Sequence, residues 1–477
     1  MSPTRMMFAA LSALAMALEG CTAFGPPRDP PRMPEPEHYA VPAQSNKLPP
    51  ADGLAQQLAI GARPLSRWWE AYQSDALNAL VEEGLAKNPS LAAAQSTLKS
   101  TREGYRSQVG QNLLPQETFI ENVFVAQVQG TYTFDFFGAA YLADRALARQ
   151  VQQQAYQLEA TRRVLAANIV LATINAASLH AQVEATERLV ALGEQRTQQM
   201  AARYQLGGAS YDDMMEAEQD AANVAVVLPG LRAQALAVRH AQAVLLGRTP
   251  DQAPEPLALD ALHLPETVPV AVSSDLVHQR PDILAAEAAV RSAADAAGAA
   301  TASMFPTLTL SASYGRGGFD WNHFSSPAGL IWSAGASITQ PLFHGGALVA
   351  RKHQYQATYD AAVAQYQQTV LSAFENVADT LISLEEDANT LEQAHRAANA
   401  AAATRRDTTS RYQLGSTQFY ATLTAGQQYE NATVQYVRAR AARLADTASL
   451  FQAMGDPPIT VPDATVPQPG KALLGMQ

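Results

Sequence analysis

The pentapeptide Arg203-Tyr204-Gln205-Leu206-Gly207 occurs a second time as Arg411-Tyr412-Gln413-Leu414-Gly415. The offset between the copies, 411 − 203 = 208 residues, is far longer than the repeat of a solenoid. Other landmarks recur in the same order: Asn88-Pro89 and Arg280-Pro281, Leu114-Pro115 and Phe305-Pro306, and Phe137-Gly138 and the turn Phe343-His344-Gly345. The sequence therefore predicts that half of the chain has been duplicated.

A cluster of prolines marks the boundary between the two halves: Pro250, Pro254, Pro256, Pro265 and Pro269. Proline interrupts regular structure, so such a cluster is typical of a connecting segment. We therefore expect a first repeat at residues 66–249, a linker at 250–275, a second repeat at 276–456 and a C-terminal tail at 457–477.

Each half contains a long stretch without helix breakers. Residues 139–206 have no proline and one glycine, and residues 347–414 have neither. At 1.5 Å per residue, each helix would be about 100 Å long. In the first stretch apolar residues follow a three-and-four spacing, which only Arg162 interrupts: Val151, Ala155, Leu158, Leu165, Ile169, Ala172, Ala176, Leu179 and Val183. This pattern is typical of a coiled-coil strut or a tubular assembly of helices.

Segments with alternating polar and apolar residues precede both long stretches, at residues 127–136, 307–314 and 330–339. This length and period match strands of a membrane β-barrel, although a soluble hairpin has the same period. A fourth segment, Glu117–Ala126 of the first hairpin, alternates less regularly. Four strands cannot close a barrel, and open edges are not tolerated in lipid, so a spanning chain must oligomerise. The stretch from Leu114 to Phe137 is 15 residues shorter than that from Phe305 to Phe343. We therefore expect the first hairpin to lack an external loop.

The N-terminus has the pattern of a signal peptide at residues 1–20, with Arg5 before an apolar run that is too short to span a bilayer. Cys21, the only cysteine of the chain, follows this run and resembles the lipidated cysteine of a bacterial lipobox. We expect Cys21 to be lipidated and residues 21–65 to form a proline-rich, lipid-anchored segment at the outer membrane. The alternative is a plain signal peptide followed by an incidental cysteine.

The composition excludes several classes of protein. With 33 Lys and Arg against 44 Asp and Glu, the net charge is −11, so the chain is not an overall basic nucleic-acid binder. A single cysteine excludes a disulfide framework and a Cys-rich zinc site. Walker A, GxGxxG and His-Glu-x-x-His motifs are absent from the sequence. We therefore predict no catalytic residues, no metal site and no cofactor.

A series of short motifs carries a resemblance to a known family. They occur in one order: Trp68-Trp69-Glu70-Ala71-Tyr72, Asn88-Pro89, Phe134-Asp135-Phe136-Phe137-Gly138, Arg280-Pro281-Asp282-Ile283, Phe305-Pro306, Pro341-Leu342-Phe343-His344-Gly345-Gly346 and both pentapeptides. This set resembles the TolC-like outer-membrane efflux factors, in particular the OprM/NodT branch of RND-type efflux lipoproteins, over roughly residues 66–456.

The resemblance implies a mainly α-helical fold with a membrane β-barrel portion and two structural repeats per chain. Three chains with four strands each would form one tube, with a β-barrel in the outer membrane and an α-barrel in the periplasm. The linker would lie in the equatorial region of that tube. The implied partners are two further copies of the chain, outer-membrane lipid, a periplasmic membrane-fusion adaptor and an inner-membrane RND-type pump. The chain itself would be a passive exit duct for drugs or other small toxic compounds.

Two other functions remain open from the sequence. One is a duct for type I protein secretion, which uses the same family fold; the other is a lipid-anchored periplasmic coiled-coil scaffold that does not span. The lipobox-like Cys21 favours efflux over secretion, and the alternating strands count against the scaffold.

The resemblance also implies roles for the two pentapeptides. Both would form turns at the periplasmic tip, and we expect their shared residues to dock the adaptor: Arg203, Tyr204, Leu206, Gly207, Arg411, Tyr412, Leu414 and Gly415. A purely structural alternative is equally physical, because glycine suits the left-handed residue that ends a helix and arginine offsets the helix dipole.

Acidic residues near this tip narrow the closed channel in the family, on the second repeat. Here the matching positions hold Ala421 and Thr424, whereas the first repeat carries Asp212, Asp213 and Glu216. We therefore expect any acidic gate to come from the first repeat. The alternative is that Ser210 caps a helix whose N-terminus the two aspartates favour.

Overall fold

The computed structural model describes residues 24–33, 48–53, 55–62, 65–113, 116–122, 124–270 and 279–455. The predicted signal peptide, Cys21, the Leu114-Pro115 landmark and the C-terminal tail lie outside these residues.

Helices make up most of the described chain. Their bounds are α1 Asp75–Lys87, α2 Pro89–Leu113, α3 Ala139–Gln205, α4 Tyr211–Ala225, α5 Val227–Leu245, α6 Pro281–Ala302, α7 Trp321–Ser325, α8 Ala347–Gln413 and α9 Phe419–Ala453. The strands are β1 Gln57–Ile60, β2 Gln116–Asn122, β3 Val125–Phe134, β4 Thr267–Val270, β5 Thr307–Gly317 and β6 Leu330–Thr339. Short 3₁₀ turns lie at Trp68–Tyr72, Pro250–Gln252, Leu259–Ala261 and Pro327–Gly329.

The two long helices are confirmed. Helices α3 and α8 have 67 residues each, and each ends one residue before the predicted limit. Each begins after a glycine with positive φ, Gly138 at 73° and Gly346 at 81°, a conformation that residues with a Cβ rarely adopt. The duplicated sequence therefore gives two helices of equal length with the same type of N-terminal start.

The apolar seam predicted in α3 is largely buried, including Val151, Leu165 and Ile169. Arg162, which interrupts the seam, is exposed. Its neighbour Arg163 is buried instead, and its Nη2 donates to the carbonyl oxygens of Phe451 at 3.0 Å and Gln452 at 3.1 Å. These carbonyls belong to the last turn of α9, so Arg163 satisfies acceptors that the helix end leaves open.

Four strands form one antiparallel sheet in the order β2-β3-β5-β6. Its centre joins the two halves of the chain, because β3 pairs with β5 and places Tyr132 opposite Leu310. Strand β2 ends at Asn122 and β3 begins at Val125, so the first hairpin has a tight turn. The second hairpin instead carries α7 between its strands. The predicted lack of an external loop in the first hairpin is confirmed.

A second, two-stranded sheet was not predicted. Strand β4 lies within the segment expected to be a linker, and it pairs in parallel with β1 from the N-terminal segment. The adjacent core contains Trp68, whose ring stacks on Phe451 with 5.4 Å between centroids. Tyr72 is fully buried and donates its hydroxyl to the carbonyl oxygen of Leu444 at 2.8 Å. Strand β1, the Trp68–Tyr72 turn, the linker strand β4 and the end of α9 therefore pack together midway along the long helices.

Near the large sheet, the N-terminal segment contacts α6 through a buried carboxylate. Asp295 is 2% exposed, and its side chain accepts from Arg145 Nε of α3 at 2.8 Å. Arg28 Nε lies 3.1 Å from the same carboxylate. Two cations thus neutralise one buried anion and hold residues 24–33 against the helices.

Two stretches are long and apolar enough by composition to cross a membrane, within α3 and within Tyr211–Leu245. In the α3 window 61% of the residues are buried inside this chain, as in a core helix of a soluble domain. Only 11% of the window in Tyr211–Leu245 is buried in this way.

Candidate functional site

The first pentapeptide closes α3 with a Schellman motif. The amide of Gly208 donates to the carbonyl oxygen of Arg203 at 2.7 Å, and the amide of Gly207 donates to that of Tyr204 at 3.0 Å. Gly207 has a φ of 72°, the left-handed conformation that this motif requires. Arg203 Nη2 donates to the carbonyl oxygen of Gly208 at 3.1 Å, which ties the turn together.

The second pentapeptide closes α8 in the same way. Gly415 has a φ of 70°, and its amide donates to the carbonyl oxygen of Tyr412 at 2.9 Å. The amide of Ser416 donates to the carbonyl oxygen of Arg411 at 2.9 Å. The structural reading of both glycines therefore has direct geometric support, and the two turns are close copies of each other.

Each turn presents a leucine to solvent. Leu206 is 87% exposed and Leu414 is 83% exposed, while the tyrosines at the same helix ends are less than half exposed. Tyr204 packs edge-on against Tyr211 at 5.9 Å, and Tyr412 packs against Phe419 at 5.4 Å. Each tyrosine thus packs against the second helix of its helical hairpin. The leucines remain exposed and can contact another molecule.

Of the three predicted gate acids, Asp213 has a structural task. It forms a capping box with Ser210, whose hydroxyl donates to Asp213 Oδ2 at 2.7 Å and whose amide donates to it at 2.9 Å. These two hydrogen bonds lower the pKa of the Asp213 carboxyl below its usual range. The capping alternative therefore describes Asp213 well.

Asp212 and Glu216 are exposed and lie one helical turn apart on α4. The described part of the chain supplies neither with an ion pair. Asp220 continues this face, but Arg196 of α3 lies 2.8 Å from it and neutralises it. Thr424 on α9 is partly buried and donates its hydroxyl to the carbonyl oxygen of Tyr420 at 3.2 Å. Within the described residues, the predicted gate acids Asp212 and Glu216 are therefore exposed and free of ion pairs.

The two helical hairpins, α3–α4 and α8–α9, meet above the tips around a carboxylate that the sequence did not predict. Glu430 of α9 is buried, with Arg188 Nε of α3 at 2.9 Å and Arg405 Nη1 of α8 at 3.5 Å. The Arg405 guanidinium also lies 4.2 Å from the centre of the Tyr429 ring. Glu430 interrupts the apolar stripe that holds Leu423 and Val434. A charged residue within this apolar stripe was the sequence feature that could have indicated a buried ion pair.

A second buried charge cluster lies further up, between α8 and α9. Arg443 is 2% exposed and donates to the carbonyl oxygen of Leu384. Burial and the neighbouring Asp446 raise the pKa of Asp387 to about 6. Burial disfavours the charged form of Arg443 as well, and so lowers its pKa to about 10. Two partly buried carboxyls and one buried guanidinium therefore share a site between α8 and α9.

The large sheet has two chemically different faces. One face is mainly apolar and pairs Phe119 with Val128, Tyr132 with Leu310, Leu308 with Ile338, and Tyr314 with Trp332. Glu117, Glu121 and Arg316 also lie on this face. On the other face, hydroxyl groups pair across strands, Thr133 with Thr309 at 3.2 Å and Ser313 with Ser333 at 2.8 Å. The apolar face is open to solvent, with Trp332 72% and Ile338 75% exposed.

Within the described residues no group of three or more His, Cys, Asp or Glu side chains could hold a metal ion.

Comparisons with known proteins agree with this architecture. Residues 272–456 match the family described as outer membrane efflux protein. The probable efflux pump outer membrane protein TtgC of Pseudomonas putida is 26% identical over 417 residues, 81% of this chain and 84% of TtgC. The pyoverdine export outer membrane protein OpmQ of Pseudomonas aeruginosa is 25% identical over 456 residues, 86% of this chain and 93% of OpmQ.

A solved structure supports the same likeness. The outer membrane protein VceC of Vibrio cholerae is 26% identical, with a TM-score of 0.71 over 82% of this chain and 99% of VceC. The proteins that this chain resembles are thus membrane channels and transport components rather than enzymes.

Proposed function

We propose that this chain, which belongs to the outer membrane efflux proteins, is one subunit of a passive exit duct in a tripartite efflux system. The duct conducts drugs or other small toxic compounds from a periplasmic adaptor and an inner-membrane pump to the exterior. It is a homotrimer, and each chain supplies two repeats, residues 66–249 and 276–456, joined by a linker at 250–275. The family match over residues 272–456 coincides with the second repeat.

One observation carries this proposal: a sheet with one mainly apolar face and two open edges stands above helices of 67 residues. Strands β2 and β6 each have one unpaired edge in the described chain. Lipid does not tolerate free backbone groups, so three sheets of four strands closing edge to edge satisfy them. Aromatic rings lie at both ends of the apolar face, Phe134 and Phe136 near the helices and Tyr314 and Trp332 near the loops. Such girdles are typical of membrane barrels.

The polar face then lines the lumen, and the helices extend that lumen into the periplasm. A wide, wet duct needs no catalytic group, which fits a passive role. Cys21 anchors the chain to the outer membrane through its lipid. The leucines Leu206 and Leu414 dock the adaptor at the periplasmic tip, with Arg203, Tyr204, Gly207, Arg411, Tyr412 and Gly415 shaping the two turns. Asp212 and Glu216 narrow the closed channel there.

Planar-bilayer recording tests the channel. Detergent-extracted protein should give discrete conductance steps of uniform size when added to a lipid bilayer. Protein in which Ile338 and Trp332 of the apolar face are both replaced by lysine should give none, because charge on a lipid-facing surface opposes insertion. Absence of steps from the unaltered protein, in bilayers that accept a known porin, would contradict the proposal.

A further inference from the structure

The two edge strands of the sheet, β2 and β6, each lack a partner strand on one side in the described chain. All ten residues of β6 are exposed, and Phe119 of β2 is 63% exposed. Just beyond β6, Leu342 and Phe343 are 91% and 88% exposed. Phe137, the counterpart of Phe343 in the first repeat, instead stacks on Phe305 of the same chain, with 4.9 Å between ring centroids. Phe343 is thus more exposed than Phe137, its partly buried counterpart in the first repeat.

We infer that the seam between subunits copies the seam between β3 and β5 within the chain, with Ile338 lying opposite the partner subunit's Phe119. This rests on the proposed trimeric duct. The duplication lets the β3–β5 pairing be mapped onto the subunit interface, because β3 in the first repeat corresponds to β6 in the second, and β5 corresponds to β2. Each subunit therefore repeats at its edge the contact that joins its own two halves.

The sequence landmarks set the register. Within the chain Tyr132 lies opposite Leu310. Tyr132 is five residues before Phe137, as Ile338 is before Phe343, and Leu310 is four residues after Pro306, as Phe119 is after Pro115.

The faces of the sheet support this register. Phe119 pairs with Val128 and Ile338 pairs with Leu308, so both side chains lie on the apolar face. A slip of one residue would place Ile338 opposite a residue of the polar face.

Slips of two residues keep the faces correct and are the real competitors. They have to be considered because the strand registers within the two β-hairpins differ by two residues. In the second hairpin Leu308 pairs with Ile338, whereas in the first hairpin Glu117, the counterpart of Leu308, pairs with Gly130 instead of Tyr132, the counterpart of Ile338. Such slips would put Ile338 opposite the partner's Glu117 or the partner's Glu121, a carboxylate beside an exposed aliphatic group. The register with Phe119 instead joins two large apolar side chains on the lipid-facing surface.

Phe343 follows from the same correspondence. It lies beyond the end of β6 as Phe137 lies beyond the end of β3. In the assembled duct it is covered by the base of the partner subunit, as Phe137 is covered by Phe305.

Paired cysteines and a short thiol cross-linker test the inference in the full chain. Side chains directly opposite in an antiparallel pair are about 5 Å apart, within reach of such a reagent. The double variant Ile338→Cys with Phe119→Cys should shift from monomer to covalent trimer on non-reducing denaturing gels. The matched pairs Ile338→Cys with Glu117→Cys or with Glu121→Cys, and each single variant, should stay monomeric.

The outcomes separate the inference from the proposed function. Trimer formation through Glu117 or Glu121 would overturn the register and leave the duct intact. No covalent trimer from any pair, in protein that light scattering shows to be trimeric, would overturn the edge pairing alone. No covalent trimer in protein that is monomeric in detergent would overturn both.

Discussion

Arg188 of α3 and Glu430 of α9 form a 2.9 Å ion pair that joins the two helical hairpins. The Glu430 side chain is 4% exposed, whereas Arg188 is 52% exposed and Arg405, the second cation, is 46% exposed. The carboxylate therefore depends on its partners, while the arginines remain in contact with water. Removing the cations leaves a buried charge unpaired, which is the costlier change.

The double variant Arg188→Ala with Arg405→Ala should lower the free energy of unfolding by about 3 kcal/mol, because Glu430 stays buried without a cation. Glu430→Gln should lower it by only about 1 kcal/mol, because exposed arginines are solvated. Arg232→Ala, which removes an exposed pair with Glu187, is the matched control and should change it by less than about 1 kcal/mol. Thermal unfolding in detergent gives the order. Equal losses for all three variants would mean that Glu430 is not a packed junction.

The tip leucines should matter for binding and not for folding. Leu206→Ala with Leu414→Ala removes side chains that are 87% and 83% exposed, so the melting temperature should not change. Adaptor co-purification should fall at least about tenfold, because buried apolar anchors carry most of an interface.

Val226→Ala is the control for this experiment, since Val226 is 76% exposed but lies between α4 and α5, away from the tip. It should leave co-purification unchanged. Equal binding by the leucine variant and the unaltered protein would remove the leucines from the docking surface.

The acidic residues at the tip should separate into a cap and a gate. Asp213→Ala loses the capping box with Ser210 and should lower the melting temperature. Asp212→Ala with Glu216→Ala should lower stability only slightly, because Asp212 lies in the first turn of α4. It should raise single-channel conductance, because two exposed carboxylates leave the constriction. Unchanged conductance in this double variant would exclude an acidic gate on the first repeat.

Stability should fall as the pH rises through the titration of Asp387. Its pKa is about 6 in the folded chain, raised by burial and by Asp446, against about 4 when unfolded. Between these values the folded state binds more protons, so the free energy of unfolding decreases with rising pH. This contribution is present in full below pH 4 and is lost above pH 6.

Asp387→Asn should remove that decrease and stabilise the protein at pH 7 by about 1 kcal/mol, a modest gain because Asp387 is only partly buried. Asp379→Asn, an exposed change on the same helix, should leave the pH profile as it is. Melting temperatures at pH 4, 5, 6 and 7 measure both. A profile for Asp387→Asn that parallels the unaltered protein would assign the pH dependence to other groups.

The long helices and the sheet were predictable because their signals are local and repeated. Unbroken stretches gave α3 and α8, and alternation gave β3, β5 and β6. The β1–β4 pairing was not predictable, since four-residue strands about 200 residues apart carry no local pattern. Glu430 and Arg163 were missed for a related reason. Their neutralising or accepting groups come from other helices, and spacing along one helix does not reveal them.

The mass and shape of the detergent-extracted protein from outer-membrane fractions test the central claim most directly. We expect light scattering to give three copies of the 50.9 kDa chain, less the signal peptide. Negative-stain microscopy should show a cylinder longer than about 100 Å, the length of one 67-residue helix. A monomer or a thin rod released without detergent would contradict the account, because the sheet would then not span the membrane.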